Sequence, residues 1–205
     1  MGLSKKTICD GLDVIAMREP RFARALTEAG YPEPRINPPG YQTLLRTIVG
    51  QQVSVASAAS VWNKLELKLG AGCPAEKIIG ADFDELRACG LSRQKQGYAR
   101  SLAELILSGE LDLGNLPLDD EAAISLLTSV KGIGRWSAEI YLLFALGRED
   151  IWPAGDLAIR VGVGSVMGHD NRPSEQEVRE ISEPWSPHRG SVAIFIWHHY
   201  NRMVM

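Results

Sequence analysis

The chain has 205 residues, of which 45% are hydrophobic and 23% charged, the composition of an ordinary soluble globular protein with enough length to bury a core in one domain or two small lobes. A net charge of −3 and a pI near 5.8 give no bulk electrostatic support for nucleic-acid binding, so any such role requires basic residues gathered on one face. The start Met1-Gly2-Leu3-Ser4-Lys5-Lys6 lacks the apolar stretch of a signal peptide, and no run approaches the length of a membrane helix, which predicts a cytoplasmic protein. Cys9, Cys73 and Cys89 are odd in number, widely spaced and match no metal pattern, and with none after Cys89 a C-terminal four-cysteine iron–sulfur loop is excluded.

Helical periodicity dominates and alternating strand patterns are nearly absent. Ile8, Leu12, Ile15 and Ala16, then Phe22, Ala25, Leu26 and Ala29, predict two helices broken near Glu19-Pro20. The stretch from Gly30 to Gly40 is too rich in Pro and Gly for a helix or central strand, and reads as an extended connection between lobes. From Tyr41, the residues Leu44, Leu45, Ile48 and Val49 mark a helix ending near Gly50-Gln51-Gln52. Ser54 caps the next, whose small residues Ala56, Ala58 and Ala59 are expected to let another helix pack close. Cys73-Pro74 opens a short helical turn, and Asp82 with Glu85 forms a capping box for the turn up to Cys89. Gly90-Leu91-Ser92 then bends the chain, with Ser92 capping a longer helix through Arg93, Lys95, Tyr98 and Leu102.

After a loop, Asp119 or Asp120 starts a helix through Ile124, Leu126 and Leu127. A glycine turn and a second helix with Trp136, Ile140, Leu143 and Phe144 follow, stopped by Gly147. Residues 157–166 are expected to be helical despite Gly162 and Gly164, whose missing side chains permit close packing. Ser174 with Glu177 caps another helix, and Pro187 to Tyr200 forms the last, with Trp62 and Trp197 assigned to the core. The prediction is all-α, about ten short helices.

Two features carry chemistry. Gly132 and Gly134 flank Ile133 in a turn that opens onto a helix beginning near Arg135, so a backbone can turn tightly and present amide groups to a phosphate, with Lys131 and Arg135 adding positive charge. Asp156 sits in a second turn directly before Leu157, where it serves as a helix N-cap and as a well-oriented carboxylate. Gly90-Leu91-Ser92-Arg93 with Lys95 echoes the first turn and is a second candidate backbone contact, together with Arg160 and Arg189. The four histidines have no metal spacing.

In combination, Leu127-Thr128, Lys131-Gly132-Ile133-Gly134-Arg135-Trp136-Ser137-Ala138 and the later Asp156 resemble the helix-hairpin-helix (HhH-GPD) superfamily of DNA glycosylases. They are most similar to the branch that removes alkylated bases, the bacterial 3-methyladenine DNA glycosylase II type. Ile48 to Ser54, Cys89-Gly90-Leu91-Ser92 with Lys95, and Trp185 to Arg189 agree, so the resemblance covers about Tyr41 to Tyr200. It implies two helical lobes with a DNA-binding cleft, residues 37–146 ending in the helix-hairpin-helix, and 1–36 plus 147–205 carrying Asp156, in a compact form without an N-terminal sheet domain. It makes Asp156 the catalytic carboxylate, and Gly132, Gly134, Lys131, Arg135, Gln51, Gln52, Ser92 and Lys95 the DNA contacts, with Gln52 as a wedge where bacterial relatives commonly carry an apolar residue. Trp136, Trp185 and Trp152 would line the base pocket.

Trp136 also stands where strand-cutting relatives place a lysine, and no lysine follows Lys131, so hydrolysis without lyase activity is implied. The resemblance implies damaged double-stranded DNA as partner, a monomer associated with the nucleoid, no required cofactor, and a structural monovalent cation held by hairpin carbonyls. Two alternatives stay open: a glycosylase for an oxidised or deaminated base, and a non-catalytic DNA-binding module.

Overall fold

The computed structural model describes residues 2–204. Among these there are twelve α-helices and no strand: α1 (Lys5–Arg18), α2 (Pro20–Ala29), α3 (Tyr41–Gly50), α4 (Val55–Leu69), α5 (Ala75–Gly80), α6 (Phe83–Ala88), α7 (Arg93–Ser108), α8 (Asp120–Thr128), α9 (Arg135–Tyr141), α10 (Leu157–Met167), α11 (Glu175–Ser182) and α12 (Arg189–Val204). A π-helical turn, Leu142–Leu146, continues α9, and a 3₁₀ turn covers Glu183–Trp185. Among the described residues no helix is long and apolar enough to cross a membrane.

Local chemistry sets most of these boundaries. Pro20 occupies the first turn of α2, where its missing N–H costs nothing, and Glu19 accepts from Arg21 N–H as the cap. Ser54, Ser92, Asp119 and Asp156 cap α4, α7, α8 and α10, while Asp82–Glu85 and Ser174–Glu177 form complete capping boxes.

The chain divides into two compact units, Pro38–Tyr141 and the remainder, formed by the residues up to Asn37 and from Leu142 onward. The second division falls at Leu142, not after residue 146, because the π-helical turn packs with the terminal segments: Asn37 N–H donates to Phe144 O at 2.9 Å and Arg35 lies over the Phe144 ring. In the terminal unit, α12 packs against α1, α2 and α10. Gly162 permits its approach to α10, since a Cβ there would lie 2.6 Å from Ile196 Cγ2. Phe22 and Phe195, ring centroids 4.8 Å apart, anchor that core.

In the unit from Pro38 to Tyr141, α7 packs against α3, α5 and α6. Its buried Gln96 amide donates to Phe83 O and Leu91 O, which ties down the turn entering the helix. The small residues of α4 divide: Ala56 and Ala59 are exposed, whereas Ala58 is half-buried and faces Gly50 of α3, a Cβ built there lying 4.0 Å from its own, so α3 packs close at that point while the rest of α4 is buried through Trp62, Leu65 and Leu69.

Candidate nucleic-acid interface and carboxylate site

The glycine turn joins α8 to α9. Ile133 is buried beneath it and its N–H donates to Val130 O, while Lys131 N–H donates to Ser101 Oγ on α7. Gly132 has φ +83°, the left-handed region, and a Cβ there would fall 2.2 Å from the Tyr98 ring, so glycine is required twice over. Gly134 differs. A Cβ at Gly134 meets no atom of the described residues within 4 Å, so neither backbone angle nor packing calls for glycine. The first N–H groups of α9 lack partners within their own helix by the geometry of any α-helix, and Lys131 is exposed beside them.

Arg135 is engaged elsewhere. Its guanidinium forms a bidentate pair with Glu121 and bonds Glu139 at 2.9 Å, neutralising a buried carboxylate. The hydrogen bond to Glu121 leads the effects that raise its pKa further. Lys131 is therefore the hairpin's more available charge, and Arg135 fixes α8 to α9.

A second turn lies alongside. Gln52, following α3, is exposed with φ +55°, a left-handed conformation that costs a non-glycine residue about 1–3 kcal/mol. Gln51 Nε2 donates to Gly132 O at 2.7 Å, and Lys95 Nζ donates to Val49 O at 2.7 Å, at the C-terminal end of α3. A groove of about 340 Å³ is lined by Gln51, Gln52, Ser92, Lys95, Tyr98 and Gly132. The fold thus brings four of the expected DNA contacts together beside the hairpin, although Lys95 is half-buried, its pKa lowered by burial, and its ammonium is spent on a backbone carbonyl. Ser92 likewise caps α7 through Lys95 N–H. As for a monovalent cation, Val130 O and Gly132 O already accept from Ile133 N–H and Gln51, so an ion would have to share them. No group of three or more His, Cys, Asp or Glu among the described residues is arranged to hold a metal ion.

In the other unit, Asp156 caps α10. Its Oδ1 accepts from Ile159 N–H at 3.0 Å and from the indole Nε1 of Trp197 at 3.1 Å. Trp197 was assigned to the core; it is half-buried at the end of the buried run of α12, rests against Phe144 with centroids 5.6 Å apart, and aims its only polar atom at the carboxylate. The signal available in sequence was weak: a tryptophan where an apolar run gives way to His198-His199-Tyr200.

The tryptophans expected to line a pocket divide. Trp136, in α9, is 49% exposed. Trp152 and Trp185 are core residues, 5% and 4% exposed, packed edge to face with centroids 5.5 Å apart, and Trp152 Nε1 donates to Val178 O. Little of either ring reaches the surface. Arg189 pairs with Asp150 and Arg160 donates to Pro173 O, so both serve the fold.

Among the described residues the chain is all-helical, with a glycine turn before α9 and a capped, donor-held aspartate at the start of α10. The chain belongs to the HhH-GPD superfamily of base excision DNA repair proteins, whose family model matches residues 45–187. It is 34% identical over 161 residues to DNA-3-methyladenine glycosylase 1 of Schizosaccharomyces pombe, covering 77% of this chain and 71% of that protein. The solved S. pombe 3-methyladenine DNA glycosylase in complex with abasic DNA superposes with a TM-score of 0.78 at 30% identity, covering 92% of this chain and 95% of that one. A DNA-3-methyladenine glycosidase from Bacillus halodurans gives 0.87 at 26% identity, covering 95% and 90%.

Proposed function

We propose that this chain is a monofunctional DNA glycosylase that acts as a monomer on damaged double-stranded DNA in the cytoplasm, removing alkylated bases of the 3-methyladenine and 7-methylguanine type. The observation that carries this reading is Asp156, held by two donors at the start of α10, in a chain whose hairpin presents Trp136 where a lyase would need an amine.

The chemistry follows from charge. A purine alkylated on a ring nitrogen is cationic and leaves as a neutral base, so no strong general acid is needed. As the bond from C1′ to the base nitrogen breaks, positive charge develops on the sugar in an oxocarbenium-like transition state. A fixed carboxylate stabilises that charge and takes the proton of the water that adds to C1′, leaving an abasic site. Trp136 offers an electron-rich ring to the cationic base, an attraction of about 0.5–2 kcal/mol. Gln52 fills the gap left by the extruded base, a step that itself costs a few kcal/mol.

The test is release of free base from methylated duplex by the wild-type protein, and its loss in Asp156→Asn. Asparagine caps a helix about as well as aspartate, so that variant should fold and bind duplex normally while base release drops at least about a hundredfold, on the scale of removing a transition-state electrostatic contact. Absence of release by the wild-type protein from any methylated duplex would refute the activity.

A further inference from the structure

We propose that Gln51 and Lys95 are positioning residues, a strut that locks the turn presenting Gln52 to the hairpin that grips phosphate, rather than DNA contacts in their own right. This rests on the reading of Gln52 as the residue that enters the DNA. Gln52 stands exposed in a left-handed conformation that its own side chain disfavours, so neighbouring contacts must hold it there. Two such contacts exist, one on each side. The Gln51 amide spans from the turn to Gly132 O at 2.7 Å, and the Lys95 ammonium grasps Val49 O at 2.7 Å from α7.

The same α7 supports the hairpin from below, with Tyr98 against Gly132 and Ser101 accepting from Lys131 N–H. The wedge turn and the phosphate turn therefore share one scaffold and are joined directly through Gly132. A phosphate seated on the hairpin fixes the register in which Gln52 meets the duplex.

The experiment compares affinity for a duplex holding a single tetrahydrofuran abasic analogue, which offers a gap to fill, with affinity for the intact duplex across a salt series. The wild-type protein should prefer the tetrahydrofuran duplex. Gln51→Ala and the isosteric Gln51→Glu, which has no N–H to donate, should each lower that preference about fivefold, the scale of one hydrogen bond. Affinity of Gln51→Ala for intact duplex should be unchanged, and its effect should vanish in a Gln52→Ala background; Gln51→Glu, which adds a negative charge beside the hairpin, is read only through the ratio of its affinities for the two duplexes. Lys95→Met should leave the slope of log affinity against log salt on intact duplex unchanged, whereas loss of a direct phosphate contact lowers its magnitude by about 0.9.

Parallel losses on both duplexes that add to those of Gln52→Ala, wild-type behaviour of Gln51→Glu, or a reduced salt slope for Lys95→Met each overturn the strut. A wild-type protein that binds both duplexes equally overturns the wedge reading beneath it, an outcome distinct from a preference that survives loss of Gln51.

Discussion

Replacing Trp197 by phenylalanine tests whether the carboxylate is held in place by its tryptophan partner. Phenylalanine keeps a ring beside Phe144 and removes only the outer ring and the indole N–H that reaches Asp156 Oδ1 at 3.1 Å. A hydrogen bond to a charged acceptor contributes about 1.5–3 kcal/mol. Ile159 N–H still holds the same oxygen, so the carboxylate stays at the start of α10 but gains freedom to rotate. If that orientation matters chiefly when charge develops on the sugar, the loss appears in the chemical step, roughly ten- to a hundredfold in rate. The assay is single-turnover release of 7-methylguanine at saturating protein, beside duplex affinity and thermal unfolding. The expected result is a slow chemical step with near-wild-type affinity and Tm lowered by a few degrees. A wild-type rate, or a loss confined to binding, would refute the argument and make Trp197 a packing residue or a DNA contact.

Gly132→Ala should destabilise the protein by about 2–4 kcal/mol in denaturant titration, since it combines a left-handed backbone with a clash against Tyr98; Gly134→Ala should leave stability within error and weaken duplex binding. Trp136→Ala should slow release of cationic 7-methylguanine more than release of a neutral damaged base, measured side by side by chromatography of the freed bases, and borohydride added during wild-type turnover should trap no covalent protein–DNA adduct. Asp150 is partly buried, which opposes its ionisation, but hydrogen bonds from Arg189 and Ser186 and the charge of Arg189 outweigh burial and hold its carboxyl below the usual range. Its stabilisation is therefore complete above the free-carboxylate pKa of about 3.9 and lost as pH falls through the lower folded value. Asp150→Asn should cost on the order of 1–2 kcal/mol at pH 7 and remove that part of the acid-side slope in a stability–pH profile.

Legibility in the sequence followed the range of the interactions. Each cap is a side chain bonding an N–H two or three residues away, so Ser54, the Asp82–Glu85 box, Ser92 and the Ser174–Glu177 box were readable without a fold. The helix class was equally readable, because burial of one face at 3.6-residue spacing leaves its period in the chain. The π-helical turn after α9 was not: a five-residue apolar run, Leu142–Leu146, carries no mark of how its backbone will hydrogen-bond. The tryptophans were ambiguous for a related reason. Trp136, Trp152 and Trp185 share one chemistry, and only packing separated the exposed ring from the two buried ones.

The sequence by itself determined the helices, their caps, the glycine turn and the one aspartate placed to start a helix after it, since all of these are settled among near neighbours in the chain. Tertiary structure decided what the charges and amides do. Arg135 turns to Glu121 across 14 positions, Lys95 reaches Val49 across 46, Gln51 reaches Gly132 across 81, and Trp197 reaches Asp156 across 41. Long polar side chains take whichever partner the fold brings within hydrogen-bonding distance, and that partner is set by how helices pack, which no local pattern encodes.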